Sequence, residues 1–264
     1  SIGADYILIT YQDFASAAQT LVNFRTGQGL RAVSVDVEDV MDEFGYGIVG
    51  PEPIRAFLAY SYSSWQAPAP SYVVLLGDAN FDPKDYSGVH AINSIPTYLA
   101  PVDPYIGETS ADNYYVSLIG SDNLPDMMLG RLSVSSAAEA TTLVNKIIGY
   151  EQAPFSGSWT QQYLAVADMP DAAGNFNLYS DALISCCLKP EYQPSKVYYG
   201  VTHATASDAR NAIKTGISSG KLIVNYIGHA RYGGWGTDDL LTTGDVSTLT
   251  NGNKLPIVLG MDCR

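Results

Sequence analysis

Two apolar segments in the last third of the chain each lead into a residue type that carries out nucleophilic chemistry. The segment 222–227 (LIVNYI) leads through Gly228 to His229, and the segment 255–262 leads to Cys263. In open α/β sheets, ligands bind at the carboxyl ends of the strands. If the two segments are neighbouring parallel strands, an imidazole and a thiol share one sheet edge. This pair suits attack of a thiolate on a carbonyl carbon, with the imidazole transferring the protons.

Both residues must be weighed against an ordinary structural role. A lone histidine is more often structural than catalytic, and a lone cysteine is usually a buried apolar thiol. His229, however, follows an apolar strand and has a glycine on its N-terminal side. Cys263 lies between two charged residues at a strand end, where nearby positive charge or an imidazole favours the thiolate. We therefore predict His229 as the general acid/base and Cys263 as the nucleophile.

Two further groups complete the predicted site. The backbone N–H groups of Ala230 and Cys263 are the candidates for an oxyanion hole. A histidine base is usually oriented by a third group. Asp168 ends the apolar segment 164–167 and is predicted to accept a hydrogen bond from the imidazole of His229. A helix N-cap or a metal ligand is an equally supported interpretation of Asp168.

The elements that must position these residues alternate between strand and helix, which is typical of an α/β fold with parallel strands. Apolar segments predict strands at 5–10, 30–36, 72–76, 113–119, 127–134, 163–167, 196–199, 222–227 and 255–262. Helical spacing predicts helices at 12–28, 52–65, 136–151, 176–188, 207–219 and 245–249. The Pro, Gly and Ser-containing segment 153–158 divides the chain into predicted subdomains 1–152 and 153–264.

The segment 78–112 is long, irregular and rich in carboxylates. Loops of this length in compact domains usually have a function or are stabilised by a bound group. Oxygen ligands at this density suit Ca²⁺. We therefore predict a structural calcium ion with Asp78, Asp82, Asp103 and Asp112 as candidate ligands. A solvated acidic loop is the alternative interpretation, because EF-hand spacing is absent.

The composition limits the classes of partner and compartment. The chain has 14 Lys and Arg against 27 Asp and Glu, a net charge of −13, whereas nucleic-acid binding needs a positive surface. No apolar run reaches the length of a membrane span, and no signal-peptide pattern opens the chain. The adjacent Cys186 and Cys187 are expected to be buried, unpaired thiols, because adjacent cysteines rarely meet disulfide geometry.

Three further motifs accompany Cys263, namely 220–229 (GKLIVNYIGH), 234–237 (GWGT) and 249–256 (LTNGNKLP). Together they resemble the gingipains, the C25 family of caspase-like cysteine peptidases. The resemblance implies a caspase-like α/β/α sandwich with two mainly parallel sheets in two subdomains, and structural calcium. It also implies protein or peptide substrates and a location outside a bacterial or archaeal cell, secreted or on the surface. Carried over by position, His229 and Cys263 form the dyad, and Asp168 is similar to the family's acidic third member.

The resemblance also bears on specificity. The acidic residue that makes the best-known members specific for arginine is expected within 176–181, where Asn177 and Asp181 are the candidates, and Trp235 is a further substrate-binding candidate. Cleavage after basic residues is thus expected. Gingipains have Gly immediately after the catalytic histidine, whereas this chain has Ala230 at that position.

Family members continue well past the catalytic cysteine, so the C-terminal part of the catalytic subdomain is expected to be missing here or supplied by a second chain. Two other functions are compatible with the resemblance. One is a sortase-like transpeptidase of type IX secretion, and the other is a non-catalytic surface protein of the same fold.

Overall fold

The computed structural model describes residues 3–90, 93–103, 107–122, 124–153 and 155–262. Its contacts divide the chain into two compact units, Ser1–Gln152 (unit 1) and Ala153–Arg264 (unit 2). The division falls at the start of the segment 153–158. None of the helices in the described ranges has both the length and the hydropathy that crossing a membrane requires.

Unit 1 alternates strands and helices along most of its length. Its elements are β1 (Tyr6–Thr10), α1 (Ala15–Gly27), β2 (Ala32–Asp36), α2 (Val37–Gly45), α3 (Pro51–Ser64), β3 (Tyr72–Leu76), β4 (Leu99–Asp103), β5 (Gly107–Ser110), β6 (Met128–Leu132) and α4 (Ala137–Gln152). The strands β2, β1, β3 and β6 form one parallel sheet in that order. Strand β1 is buried throughout, because α1 and α4 cover one face of the sheet and α2 and α3 cover the other.

Unit 2 repeats the scheme with one long helix on each face. Its elements are β7 (Gln162–Ala167), α5 (Phe176–Cys187), β8 (Gln193–Tyr198), α6 (Ala206–Ser219), β9 (Ile223–Ile227), β10 (Ala230–Arg231), β11 (Gly234–Trp235), β12 (Leu241–Thr242), α7 (Thr243–Val246) and β13 (Ile257–Met261). The strands β13, β9, β7 and β8 form a parallel sheet in that order. Helix α5 packs on one face and α6 on the other.

Two parallel sheets with helices on both faces confirm the predicted α/β class. The prediction of a strand at 113–119 is wrong: a short 3₁₀ helix, Asp112–Tyr115, lies there instead. Helix α2 was not predicted, because it follows β2 without an intervening turn. Its N-cap is Asp36, the last residue of β2, whose carboxylate accepts from the Glu38 N–H.

The adjacent cysteines also differ from the expectation of buried, unpaired thiols. Cys186 and Cys187 end helix α5, and both are exposed. The two sulfur atoms are joined in a disulfide. The expectation failed because it treated apolar neighbours in the sequence as a sign of burial, whereas both cysteines lie on the solvent side of the last helical turn.

A single arginine of β6 binds three separate parts of the long segment between β3 and β6. The guanidinium of Arg131 donates to the carbonyls of Gly77 (3.0 Å), Ile95 (2.8 Å) and Pro96 (3.1 Å). It also binds both carboxylate oxygens of Asp112, at 2.7 and 2.9 Å. Three carbonyls and one carboxylate use the fork of donors that a guanidinium presents. The counter-charge for Asp112 is therefore part of the fold.

Candidate active site

The register of the unit 2 sheet brings three chain segments out at one edge. Ile227, the last residue of β9, pairs with Met261 of β13 on one side and with Ala167 of β7 on the other. The pairing continues past the strands, since the Gly228 N–H donates to the Met261 carbonyl at 3.2 Å. His229 and Asp168 follow β9 and β7 at this edge. Cys263 lies outside the described residues.

The imidazole of His229 is held on two sides. Its Nε2 lies 2.8 Å from Oδ2 of Asp171, and the ring of Phe176 packs against it edge to face, with centroids 5.2 Å apart. The side chain of His229 is 33% exposed, so a substrate has access to the ring. A fixed ring with one face open is the arrangement that proton transfer to a bound substrate requires.

Asp168 does not have the role predicted for it. It is 5% exposed, and its Oδ2 accepts from the backbone N–H of His229 at 3.2 Å. Its Oδ1 accepts from the Met169 N–H at 2.8 Å. The prediction that Asp168 binds the imidazole is therefore wrong. Asp168 fixes the backbone from which the imidazole projects, and Asp171 binds the imidazole itself.

Asp171 was missed because it lies in a turn beyond the strand end. Reciprocal backbone hydrogen bonds of 3.1 and 3.2 Å join Asp171 and Gly174 and close this turn. The sequence Asp-Ala-Ala-Gly is a recognisable turn pattern, but the pattern does not show which way the carboxylate points. The pKa of Asp171 is lowered by the backbone N–H of Ala173 and by His229. Asp171 is thus a carboxylate at neutral pH.

Glycine is required between β9 and His229. A Cβ built on Gly228 would overlap Cβ of Asp168 and lie 2.6 Å from the hydroxyl oxygen of Tyr226. That hydroxyl donates to the carbonyl of His229 at 2.5 Å. Gly228 is therefore required by packing, because a larger side chain would collide with Asp168 and Tyr226.

The predicted oxyanion and substrate residues near His229 belong to a small antiparallel sheet. Ala230 begins β10 and pairs with Trp235 of β11. The indole of Trp235 stacks on the ring of Tyr226 with centroids 4.6 Å apart. This contact gives Trp235 a packing role, and its binding of substrate stays a prediction, as does the role of the Ala230 N–H.

The two specificity candidates lie one turn apart on α5, at positions i and i+4, and so share a helix face. Oδ1 of Asp181 accepts from the Tyr198 hydroxyl at 2.6 Å and lies 2.8 Å from Nζ of Lys196. Lys196 and then Tyr198 lower the pKa of Asp181, which is 41% exposed. Oδ1 of Asn177 is buried and has no hydrogen-bond partner among the described residues.

The four predicted calcium ligands do not form a cluster in the described part of the chain. Asp112 is bound by Arg131, and Asp82 accepts from the N–H groups of Tyr86 (3.0 Å) and Ser87 (2.7 Å). The side chain of Asp103 is outside the described residues, and Asp78 accepts locally from Ala79. Among described residues, no group of three or more His, Cys, Asp or Glu side chains is arranged to hold a metal. The described carboxylates of Asp78, Asp82 and Asp112 thus do not form a metal site among themselves, and a site that includes Asp103 stays a prediction.

Comparison with known proteins identifies the family, since the family model of peptidase family C25 matches residues 1–264. The chain belongs to peptidase family C25. Gingipain R2 of Porphyromonas gingivalis is 27% identical over 265 residues, which cover 97% of this chain and 32% of that protein. Lys-gingipain W83 of the same organism is 28% identical over 192 residues, 68% of this chain and 11% of that protein.

A crystal structure of the Arg-specific cysteine proteinase gingipain R superposes with a TM-score of 0.77 at 22% identity. The match covers 99% of this chain and 55% of that chain. It confirms the fold expected from the gingipain resemblance. The C25 chain described here therefore spans about a third of Gingipain R2 and about half of the gingipain R structure.

A buried carboxylate anchors the hairpin that follows His229. Asp245 is 4% exposed and accepts from the Thr242 N–H at 2.9 Å, from Arg210 at 2.8 Å and from Lys214 at 3.1 Å. Burial alone would raise the pKa of Asp245, but the Thr242 hydrogen bonds and the two cations outweigh burial and lower it. Because the folded-state pKa is depressed, this stabilisation is present above the unfolded pKa and is lost as the pH falls.

We expect Asp245→Asn to lower the free energy of unfolding at pH 7 by about 2 kcal/mol, less than for fully buried pairs because both cations are partly exposed. The difference from wild type should shrink below about pH 4, the unfolded pKa of aspartate. Thermal unfolding between pH 3 and pH 7 measures both effects, with exposed Glu191→Gln as the control. A constant difference across this range would contradict the assigned role of Asp245.

Calcium binding stays a prediction, and so does the choice of its ligands among the carboxylates of the segment 78–112. An ion whose free concentration is 100 times its Kd stabilises the native state by about 2.7 kcal/mol. We therefore expect EGTA to lower the melting temperature by several degrees and added CaCl₂, but not MgCl₂, to restore it. An unchanged melting curve in excess EGTA would show that contacts such as Arg131–Asp112 hold the segment 78–112 without an ion.

Proposed function

We propose that this chain carries the catalytic dyad of a cysteine endopeptidase, with His229 as general acid/base and Cys263 as nucleophile. The observation that supports it best is the parallel register of β9 and β13, whose following segments leave the sheet at one edge. The fixed, partly exposed imidazole of His229 gives that edge a proton-transfer group. The substrates are proteins or peptides, in keeping with peptidase family C25.

In this mechanism the Cys263 thiol transfers its proton to the imidazole, and the thiolate attacks the scissile carbonyl carbon. The tetrahedral oxyanion is bound by the N–H groups of Ala230 and Cys263. The C–N bond then breaks, the imidazolium gives its proton to the leaving amine, and a thioester forms. Water, deprotonated by the imidazole, hydrolyses the thioester and regenerates the thiol.

Asp171 is a positioning residue in this scheme. Its carboxylate occupies Nε2 of His229, which leaves Nδ1 to exchange protons with the nucleophile. A carboxylate at 2.8 Å also stabilises the imidazolium that forms during the reaction. Asp168 acts one step further away, since it fixes the backbone N–H of His229.

We also propose that the protein is exported by a bacterium, secreted or held at the cell surface, and that further chain or a second chain completes the catalytic domain. The proposal is supported by relatives from Porphyromonas gingivalis that are much longer than this chain. One neighbour is a complex of the pro- and mature domains of such a protein. Immunoblotting of culture supernatant and cell fractions of the source organism tests the location; signal confined to the cytoplasm would contradict it.

We expect Cys263→Ala and His229→Ala to abolish peptide cleavage by the intact enzyme, and Cys263→Ala to abolish labelling by a peptidyl acyloxymethyl ketone. Asp171→Asn should lower kcat/KM about 10- to 100-fold, within the usual range for acid–base assistance. The loss should fall on kcat and leave KM for a peptide substrate unchanged, because Asp171 orients the imidazole and does not bind the substrate.

Asp208→Asn, which changes an exposed carboxylate on α6, serves as the control. Activity surviving in Cys263→Ala would refute the nucleophile. An Asp171→Asn enzyme with an unchanged kcat would refute only the positioning role, because this variant tests Asp171 separately from the dyad.

For specificity, we propose cleavage after basic residues, with Asp181 as the acidic partner of the substrate side chain. Its ionised, partly exposed carboxylate already binds one ammonium group, that of Lys196. Asp181→Asn should lower kcat/KM for Arg and Lys substrates at least tenfold relative to a neutral P1 residue. Lys196→Met, which frees the carboxylate, should retain or increase the basic preference. Equal P1 profiles for wild type and Asp181→Asn would refute this role.

A further inference from the structure

A polar cavity lies at the amino-terminal ends of the unit 2 strands, whereas His229 lies at their carboxyl ends. It has a volume of about 360 Å³ and is lined by residues of the segment 155–159, by Gln162, by the segment 219–221 and by Lys254. These residues sit at or just before the first residues of β7, β9 and β13. His229 follows the far end of β9. Five strand residues, about 16 Å of chain, therefore separate the two places.

Lys221 is the most unusual residue of this cavity. It is 7% exposed, and its Nζ lies 3.1 Å from Oγ of Ser195. That hydroxyl donates its own proton to the carbonyl of Tyr163 at 3.1 Å. The ammonium group has three donors, and among the described residues it has one hydrogen-bond acceptor, which is neutral. Burial also lowers the pKa of Lys221, as expected for a cation without a counter-ion.

A second cation lines the same cavity. Nζ of Lys254 lies 3.4 Å from the carbonyl of Ser219 and 6.0 Å from the centre of the Phe155 ring. Its partners are thus neutral as well. In the described residues of unit 2, neither Lys221 nor Lys254 lies within ion-pair distance of a carboxylate.

Most of the other described cations of unit 2 are paired with carboxylates. Lys196 pairs with Asp181, Arg231 with Asp239, and both Arg210 and Lys214 pair with Asp245. The exception, Lys189, is exposed to solvent. The chain carries 27 Asp and Glu against 14 Lys and Arg, so carboxylates are in excess. Two lysines in one cavity with no carboxylate leave a local positive charge in an acidic protein.

The local fold brings the two lysines together through a glycine. Gly220 follows the last residue of α6 with φ +98°, a conformation that favours glycine. A Cβ at this position would lie 2.6 Å from Cδ of Lys254 and 3.0 Å from Cβ of Trp159. The absence of a side chain lets the stem of Lys254 cross the turn immediately before Lys221.

We propose that this cavity binds a compact oxyanion, a phosphate, sulfate or carboxylate group, between the ammonium groups of Lys221 and Lys254. Such a group supplies the acceptors and the negative charge that the lysines lack. Ser156 and Ser158 line the same cavity, and their side chains contain further hydrogen-bond donors. The anion is either a free ion or the carboxylate of an acidic peptide. The site is independent of peptide-bond cleavage.

The test is titration of the full chain with inorganic phosphate, sulfate or acetate at constant ionic strength, by calorimetry and thermal unfolding. We expect saturable binding of at least one anion and a rising melting temperature, because the ligand binds the native state. Lys221→Met and Lys254→Gln should each weaken binding at least tenfold. Lys189→Gln, which removes an exposed lysine elsewhere in unit 2, should bind like wild type.

Two results separate an anion site from a purely structural lysine. Without anion, Lys221→Met should be at least as stable as wild type, because it removes a buried charge and keeps an apolar stem of similar length. An acidic peptide that competes with phosphate at the same site would indicate a peptide carboxylate, and a failure to compete would indicate a free anion. The absence of saturable binding, or binding unchanged in both lysine variants, would overturn the proposal.

Discussion

The arrangement of the sheet edge that carries His229 depends on the buried carboxylate of Asp168, which lies between the carboxyl ends of β7 and β9. Asp168 follows β7 and accepts the backbone N–H of His229, which follows β9. Its own N–H donates to the Ile227 carbonyl at 3.0 Å, so the two chain segments are tied in both directions. A buried carboxylate with two backbone donors is costly to leave unpaired. The parallel register and the direction of the imidazole are therefore set together.

Tyr226 extends this constraint to the segment after His229. Its hydroxyl binds the His229 carbonyl, and its ring stacks on Trp235 at an interplanar angle of 5°. Burial, and then the charge of Asp168, raise the pKa of Tyr226, so the hydroxyl remains a neutral donor. The small sheet β10–β11–β12 is thereby joined to the core of unit 2. Asp245 fixes the other end of this sheet through Thr242.

The sequence was sufficient for the features that follow from periodicity and strand order. Alternating apolar segments predicted both parallel sheets, and the strand-end rule predicted the edge on which His229 lies. The sequence was not sufficient to show whether Asp168 or Asp171, three residues apart, contacts the imidazole of His229. Asp168 satisfies the strand-end rule, but the turn closed by Asp171 and Gly174 decides which carboxylate reaches the imidazole. That decision depends on backbone geometry beyond the strand.

The prediction for the segment 78–112 had a similar limit. The density of carboxylates predicted a calcium ion, but it did not show which carboxylate meets a cation from another element. The guanidinium that binds Asp112 belongs to Arg131 on β6, 19 residues further along the chain. An ion pair between residues so far apart in the sequence forms only when the sheet is packed. The exposure of the disulfide-bonded Cys186 and Cys187 likewise depends on how helix α5 packs on its sheet.

Helix α5 connects the geometry of the imidazole with the groups proposed to read the substrate. Phe176 in its first turn packs on His229, and Asp181 one turn later is held by Lys196 and Tyr198 of β8. Phe176 and Tyr198 belong to the same apolar cluster, which docks the helix on the sheet. A shift of α5 would therefore move the support of the imidazole and the Asp181 carboxylate together. The proposed contact with the substrate and the proposed proton transfer thus both depend on the position of α5.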